Sequence, residues 1–151
     1  MLTIGDKAPE FEGIDQNGTL VSLSLLKGKK VILYFYPKDN TPGCTAEACS
    51  LNDKNDFFVE KGFVVIGVST DSIESHQKFA AKYSLNFHLL SDTDKKMVQD
   101  YGVWGEKKNY GKTYMGLLRT TYILSEEGLV EMVFPRVDTK THADQLIKAL
   151  F

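Results

Sequence analysis

The two cysteines of this 151-residue chain, Cys44 and Cys49, are the side chains with the clearest potential for chemistry. Cys44 follows an apolar run and a segment of turn-forming residues, so it stands at the predicted start of a helix. A helix start presents free backbone N–H groups and the positive end of the helix dipole, and both favour the reactive thiolate. Cys44 is therefore a candidate nucleophile, although a buried inert cysteine would fit the same local sequence.

The five-residue spacing of the cysteines restricts how they can react with each other. In an ideal helix the two Cα atoms would lie about 8.6 Å apart, whereas a disulfide requires about 4.4–6.8 Å. We predict that the start of the helix unwinds for the bond to form, because Pro42 and Gly43 precede it and residues 50–56 include poor helix formers. The spacing argues against a C-x-x-C oxidoreductase, and two thiols are too few for a closed zinc site.

Arg119 is the basic residue best suited to assist a thiolate. Of the 18 basic residues, only Arg119 and Arg136 are arginines, and only arginine offers a planar, permanently charged fork. Arg119 directly precedes a predicted strand, which favours a functional role over a solvated surface charge. Arg136 follows Pro135 in a polar stretch, and we expect it at the surface.

The elements that must position these residues alternate between apolar runs and helical patterns. The predicted strands are Val31–Tyr36, Phe63–Val68 and Asn86–Leu90, and the predicted helices are Thr45–Lys61, Ser72–Tyr83, one opening near Asp92 or Thr93, and Thr141–Leu150. Predicted hairpins are Glu12–Leu23, turning at Asn17-Gly18, and Thr120–Leu124 with Leu129–Phe134. The expected inward positions are Ala48, Leu51, Phe58 and Val59 in the cysteine helix and Leu146, Ile147 and Leu150 in the last helix.

This order predicts an α/β protein with a mixed central sheet flanked by helices and an N-terminal β-hairpin, within one domain spanning residues 1–151. It is compatible with a thioredoxin-like fold, but periodicity alone leaves other α/β sandwiches open. The segment from Tyr110 to Tyr114 contains Gly-Lys-Thr without the upstream glycine of a phosphate loop, so we expect an ordinary loop there.

The composition argues against some classes of binding partner. The chain is 42% hydrophobic and 25% charged with a net charge of −2, which gives no electrostatic reason to expect nucleic acid or an anionic membrane as a partner. No apolar run approaches the roughly 18 residues of a membrane span. The amino terminus lacks the pattern of a signal peptide. We therefore expect a cytoplasmic protein in which a close cysteine pair is catalytic or metal-binding rather than structural.

Several segments resemble one known family. The segment Pro37-Lys-Asp-Asn-Thr41-Pro-Gly-Cys44 resembles the peroxiredoxin pattern of Pro, three residues, Thr or Ser, two residues and Cys. Its continuation to Ser50 resembles the subgroup called bacterioferritin comigratory protein or peroxiredoxin Q. Further matches are Gly5-Asp-Lys-Ala-Pro-Glu-Phe11, Tyr101-Gly-Val-Trp-Gly-Glu106 and Arg119-Thr-Thr-Tyr-Ile-Leu124. The resemblance spans nearly the whole chain and departs from it at Asn52, where a basic residue would be expected.

The resemblance implies a thiol peroxidase acting on hydrogen peroxide and organic hydroperoxides, with Cys44 as the peroxidatic cysteine that becomes a sulfenic acid. It implies that Arg119 stabilises the thiolate and polarises the peroxide. Thr41 would direct its hydroxyl at the thiolate and the bound peroxide. Pro37 would shield the sulfenic acid, and backbone N–H groups near Gly43 would hold the peroxide oxygens.

The resemblance also implies how the cycle closes. Cys49 would be the resolving cysteine, forming an intramolecular disulfide that thioredoxin or a glutaredoxin-like dithiol reduces. No metal, flavin or haem cofactor is implied. A monomer is the simplest expectation, because both thiols lie in one helix. Trp104 would line an edge of the active-site entrance, although plain packing is an equal expectation.

Two other functions remain open from the residues alone: a thioredoxin-fold disulfide oxidoreductase and a copper chaperone. A copper site needs a short-spaced cysteine pair and a distant histidine, for which His88 or His142 could be nominated. His76, His88 and His142 show no ligand spacing and lie near no cysteine in sequence.

Overall fold

A five-stranded mixed sheet forms the centre of the computed structural model, which describes residues 1–151. Its strands, in spatial order, are β5 (His88–Ser91), β4 (Phe63–Ser69), β3 (Lys30–Phe35), β8 (Thr120–Leu124) and β9 (Val130–Phe134). Strands β3, β4 and β5 run parallel, whereas β8 pairs antiparallel with both β3 and β9. This arrangement is the predicted mixed sheet of a thioredoxin-like fold.

Five helices and two separate hairpins complete the chain. The helices are α1 (Pro42–Asp53), α2 (Asn55–Glu60), α3 (Ile73–Tyr83), α4 (Lys96–Asp100) and α5 (His142–Leu150), with a 3-10 turn at Ser24–Leu26. The hairpins are β1 (Glu12–Ile14) with β2 (Leu20–Ser22), and β6 (Trp104–Asn109) with β7 (Lys112–Leu117). The N-terminal hairpin is therefore confirmed. None of the helices combines the length and apolar character needed to cross a bilayer.

Strand β3 divides the core into two layers, because its side chains alternate between the faces of the sheet. Val31, Leu33 and Phe35 lie in one apolar cluster. The intervening residues Ile32 and Tyr34 lie in the other, which also contains Cys44. The continuous apolar run thus reflects burial on both faces, and it fixes the sheet against which α1 packs.

The predicted helix from Thr45 to Lys61 is wrong in its extent and in one inward residue. It begins earlier, at Pro42, and is interrupted at Lys54, whose φ of −110° and ψ of 9° are not helical. Asn52 hydrogen-bonds Ser84 and Asn86 through its side chain, and these bonds fix the last turn of α1 to the loop before β5. The interruption changes the face that α2 presents, so Val59 is 58% exposed instead of buried.

The prediction of an ordinary loop from Tyr110 to Tyr114 is also wrong. Tyr110 and Gly111 form the turn of the β6–β7 hairpin, and residues 112–114 belong to strand β7. Tyr110 and Gly111 have positive φ angles of 51° and 79°, which suit a two-residue hairpin turn. The flanking strands are lysine-rich and mostly exposed, so they lack the alternation of apolar residues that marks a half-buried strand.

The start of α4 also differs from the expected position near residues 92 and 93. The helix begins at Lys96, and the carboxylate of Asp92 accepts hydrogen bonds from the Met97 and Val98 N–H groups at 3.1 and 2.9 Å. Asp92 therefore caps the helix from a distance instead of opening it. The third strand likewise begins two residues later than predicted, at His88.

Candidate active site

Cys44 lies in the first turn of α1 with 1% of its surface exposed. Its Sγ accepts a hydrogen bond from Arg119 Nη2 at 3.3 Å. The first helical N–H with a partner is that of Thr45, which donates to the Thr41 carbonyl, so the N–H groups of Gly43 and Cys44 remain without one. A cation thus bonds the sulfur, and two unpaired N–H donors lie in the same first turn of the helix.

Arg119 is held in place by a second contact. Its Nη1 donates to Glu47 Oε1 at 2.6 Å, so the guanidinium bridges a carboxylate and the thiol sulfur. Gly43 leaves room for this bridge, because a Cβ at that position would lie 3.3 Å from Arg119 Nη2. The structure therefore brings together Cys44, Gly43 and Arg119, as the sequence predicted.

Glu47 is a site residue that sequence reasoning missed. It is fully buried, at 0% exposure, and lies three positions after Cys44, so the two side chains share a face of α1. An acidic residue at that helical spacing from a cysteine was the available signal. Burial raises the pKa of Glu47 to about 7 against the opposing effect of the Arg119 guanidinium. Its Oε2 has no hydrogen-bond partner, which is consistent with incomplete stabilisation of the charge.

His142 faces the free oxygen of Glu47 without pairing with it. Its Nε2 lies 3.7 Å from Glu47 Oε2. Its Nδ1 donates to the side-chain Oε1 of Gln145 at 2.9 Å, so Nε2 accepts from the Thr121 hydroxyl at 2.8 Å. Burial lowers the pKa of His142 to about 4, so the ring is neutral at physiological pH. No histidine lies near the cysteines in sequence, yet the fold places His142 beside Glu47.

Replacing Glu47 by Gln should change how stability depends on pH. The pKa is about 7 in the folded chain against an ordinary value of 4.5, so the folded state binds this proton more tightly than the unfolded state. Glu47 therefore stabilises the folded state fully below its ordinary pKa of 4.5. This stabilisation is lost as the pH rises to 7 and beyond, by roughly 3 kcal/mol in total. Urea unfolding of wild type and E47Q at several pH values between 4 and 8.5 measures the difference.

The comparison with E47Q is needed because His142 acts in the opposite direction. With a folded pKa of about 4 against 6.5, it adds stability as the pH rises over that range. The difference between the unfolding free energies of the two proteins cancels the contribution of His142 and leaves the contribution of Glu47. A difference that stays constant with pH would contradict a carboxyl that titrates near neutrality.

Thr41 and Pro37 flank the sulfur in the loop before α1. Thr41 occupies the N-cap position with extended backbone angles, but its hydroxyl donates to the Lys38 carbonyl at 2.8 Å instead of capping the helix. That bond turns the hydroxyl proton toward the loop and leaves the oxygen able to accept. Pro37 is half-buried immediately after the apolar run of β3.

Cys49 lies in the same helix as Cys44, and both are free thiols. Partial burial and, to a smaller extent, the carboxylate of Asp53 raise the pKa of the Cys49 thiol. The next residue, Ser50, accepts a hydrogen bond from the Ala143 N–H at 3.0 Å and so ties this part of α1 to α5. With both cysteines in an intact helix, a disulfide between them requires α1 to unwind.

Trp104 and the remaining histidines lie elsewhere. Trp104 packs against the apolar cluster on the face of the sheet opposite Cys44, with Lys95 Nζ 4.9 Å from its ring centroid. His88 Nδ1 pairs with Asp15 at 2.8 Å. The one group of side chains arranged to hold a metal is Asp39, Asp71 and His76, which contains no sulfur. The structure therefore gives no support to a copper site built on the cysteines.

Comparisons with known proteins agree with this geometry. The AhpC/TSA family model matches residues 4–133. Peroxiredoxin Bcp of Bacillus subtilis is 45% identical over 149 residues, covering 99% of this chain and 95% of the relative. A structure of Xylella fastidiosa PrxQ superposes with a TM-score of 0.93 at 30% identity, covering 99% of this chain and 96% of that chain.

A third relative has an activity of alkyl peroxide reduction. It is the bacterioferritin comigratory protein of Xanthomonas campestris, which superposes with a TM-score of 0.87 at 38% identity. The match covers 93% of this chain and 89% of that chain. Full-length identity, fold and the Cys44–Arg119 contact lead to the same assignment. The chain belongs to the AhpC/TSA family and is a thiol peroxidase of the peroxiredoxin Bcp, or peroxiredoxin Q, type.

Proposed function

We propose that Cys44 is the peroxidatic cysteine and Cys49 the resolving cysteine of an atypical two-cysteine cycle. The observation that carries this assignment is the buried Cys44 Sγ bonded to Arg119 at 3.3 Å. A guanidinium next to sulfur stabilises the thiolate, which is the species that attacks peroxide. Cys49 has no such cation beside it, and its thiol pKa is raised, so it is the poorer first nucleophile.

In the first step the Cys44 thiolate attacks one oxygen of the peroxide. An S–O bond forms as the O–O bond breaks, and the leaving oxygen takes a proton to become an alcohol or water, while Cys44 becomes a sulfenic acid. Arg119 stabilises the negative charge that develops on the leaving oxygen. The unpaired N–H groups of Gly43 and Cys44 hold the peroxide, Thr41 orients it, and Pro37 limits access of water to the sulfenic acid.

In the second step Cys49 attacks the Cys44 sulfur and water leaves. Unwinding of α1 brings the two sulfurs together, and this breaks the bond between Ser50 and Ala143 described above. An external dithiol, thioredoxin or a glutaredoxin-like protein, then reduces the disulfide by exchange. Because one chain supplies both cysteines, a monomer suffices, and a cytoplasmic location would provide the reducing partners.

The substrates proposed are hydrogen peroxide and organic hydroperoxides, the latter supported by the alkyl peroxide reduction attributed to the Xanthomonas relative. The direct test adds one equivalent of hydrogen peroxide to the reduced protein. Both thiols should disappear rapidly, and the mass of the intact chain should fall by two hydrogens. Slow loss of thiols, or a disulfide between two chains, would contradict the cycle.

Replacing Cys49 by Ser should preserve the first step and stop the cycle. Peroxide should still oxidise Cys44 at a rate within about threefold of wild type, because the Arg119 contact is unchanged. The sulfenic acid should then accumulate and be trapped by dimedone. Steady-state turnover with a dithiol protein should fall by at least about tenfold, since no intramolecular disulfide is available for exchange. An intramolecular disulfide in this variant, or absence of the dimedone adduct, would refute the assignment.

A further inference from the structure

The 37–41 loop, which joins β3 to α1, is fastened to α3 by a buried pair of side chains. Asp39, in the middle of the loop, is 7% exposed, and His76, in the first turns of α3, is 0% exposed. Asp39 Oδ2 lies 2.6 Å from His76 Nδ1 and accepts from Ser75 Oγ at 2.8 Å. Asp39 Oδ1 accepts from the Tyr36 hydroxyl at 2.6 Å. Both carboxylate oxygens are therefore fully used in fixing the loop.

The hydrogen-bond pattern places one hydrogen between His76 Nδ1 and Asp39 Oδ2. His76 Nε2 lies 3.0 Å from the Leu90 carbonyl, which can only accept, so Nε2 carries a hydrogen. The contact between Nδ1 and the Asp39 carboxyl also needs a hydrogen. The two side chains thus share a short, buried hydrogen bond, which fixes their relative orientation.

The loop has further contacts with α3 and the segment before it. The Asp39 N–H donates to Asp71 Oδ2 at 2.8 Å. Asn40, which has a positive φ of 58°, accepts from Lys82 Nζ at 3.3 Å and from the Tyr83 hydroxyl at 3.2 Å. None of these contacts comes from α1. The bond from the Thr45 N–H to the Thr41 carbonyl is the hydrogen bond that joins the loop to α1, so the contacts with α3 can hold the rest of the loop when α1 unwinds.

We propose that the Asp39–His76 pair is a positioning device that holds the 37–41 loop in its peroxide-binding conformation independently of α1. Thr41 and Pro37 belong to this loop, and the free N–H groups of Gly43 and Cys44 follow it directly. With the loop fixed to α3, unwinding of α1 for disulfide formation does not dismantle this part of the site. The inference depends on the proposed function, because it assigns the loop a role in the peroxide step.

The test compares His76→Gln and Asp39→Asn with a matched control, His88→Gln. The control also removes a histidine–aspartate pair, that of His88 with Asp15, but away from the loop. Three rates are measured for each protein: peroxide oxidation of Cys44 by stopped flow, alkylation of Cys44 by iodoacetamide in a Cys49→Ser background, and disulfide formation after oxidation. Dithiothreitol serves as reductant, so that no protein partner affects the result.

Both loop variants should lower the peroxide rate constant by about 10- to 100-fold, the cost of misplacing a reacting geometry by about 1 Å. Alkylation should remain within about twofold of wild type, since iodoacetamide needs the thiolate but not the peroxide-binding loop. The control should leave all three rates unchanged. Equal losses of peroxide reaction and alkylation, or a lower melting temperature with normal rates, would show a merely structural role and overturn the inference.

Two further measurements keep the proposal falsifiable if a buried substitution prevents folding. Ser75→Ala removes one hydrogen bond from Asp39 and should lower the peroxide rate several-fold; no change would overturn the inference. In the wild-type disulfide form, hydrogen exchange should be fast within residues 43–53 but slow at the Asp39 N–H, and fast exchange there would also overturn it. If the wild-type protein itself fails to react with peroxide, the proposed function fails; normal rates in the loop variants reject only the positioning role.

Discussion

A Cys44→Ser variant is expected to lose peroxide reduction by at least about 10⁴-fold. The reaction needs an ionised nucleophile, and a serine hydroxyl stays protonated at neutral pH even beside a guanidinium. The fold should persist, because serine is close in volume to cysteine and Arg119 can still donate to its oxygen. The measurement is the rate of peroxide consumption with excess dithiothreitol, with circular dichroism to check folding.

The paired Cys49→Ser variant is the control for this result. It removes the other thiol of α1 but leaves Cys44 with the Arg119 contact at 3.3 Å, so it should still consume one equivalent of peroxide. If Cys44→Ser consumed one equivalent and Cys49→Ser consumed none, the roles of the two cysteines would be reversed. Equal reactivity in both variants would contradict a dedicated nucleophile.

Replacing Arg119 by Lys should slow attack on peroxide by about 10²-fold while the fold is retained. Lysine keeps the positive charge but loses the forked geometry of the guanidinium. In the wild-type protein, Nη1 bonds Glu47 at 2.6 Å and Nη2 bonds Cys44 at 3.3 Å. A single ammonium cannot reproduce both directions of donation. It would also bind preferentially to the buried carboxylate of Glu47, withdrawing its donor from the sulfur. Stopped-flow oxidation of the reduced variant measures the loss directly.

Arg136→Lys is the matched control for this prediction, since it replaces the chain's other arginine, which is exposed as expected. It should react with peroxide at the wild-type rate. If Arg119→Lys also reacted at that rate, the positive charge alone would account for the effect on Cys44, and the fork geometry would be irrelevant.

Much of the fold could be predicted because buried elements have recognisable patterns of apolar residues in the sequence. The run at residues 31–36 required a strand covered on both faces, and it is the central strand β3 with one side-chain layer in each core cluster. The predicted boundaries of elements were wrong where tertiary contacts or solvent exposure, and not local sequence, determine where an element begins or ends. Side-chain bonds from Asn52 to residues 84 and 86 define the end of α1, and the exposed β6–β7 hairpin has no burial pattern to detect.

At the site, the chemistry could be inferred from residue types and spacing: the positions of Cys44 and Cys49, the turn-rich segment before them, and Arg119 just before a strand. Helix geometry made unwinding a requirement without any coordinates, since a covalent bond cannot span the distance that an intact helix imposes. The distant groups that surround the sulfur became identifiable once the chain was folded. Burial of Glu47 under Arg119, the approach of His142, and the fastening of Asp39 to His76 all join residues far apart in the chain. The pKa values of Glu47 and His142, and the hydrogen bonds of all these groups, depend on packing, which local sequence does not encode.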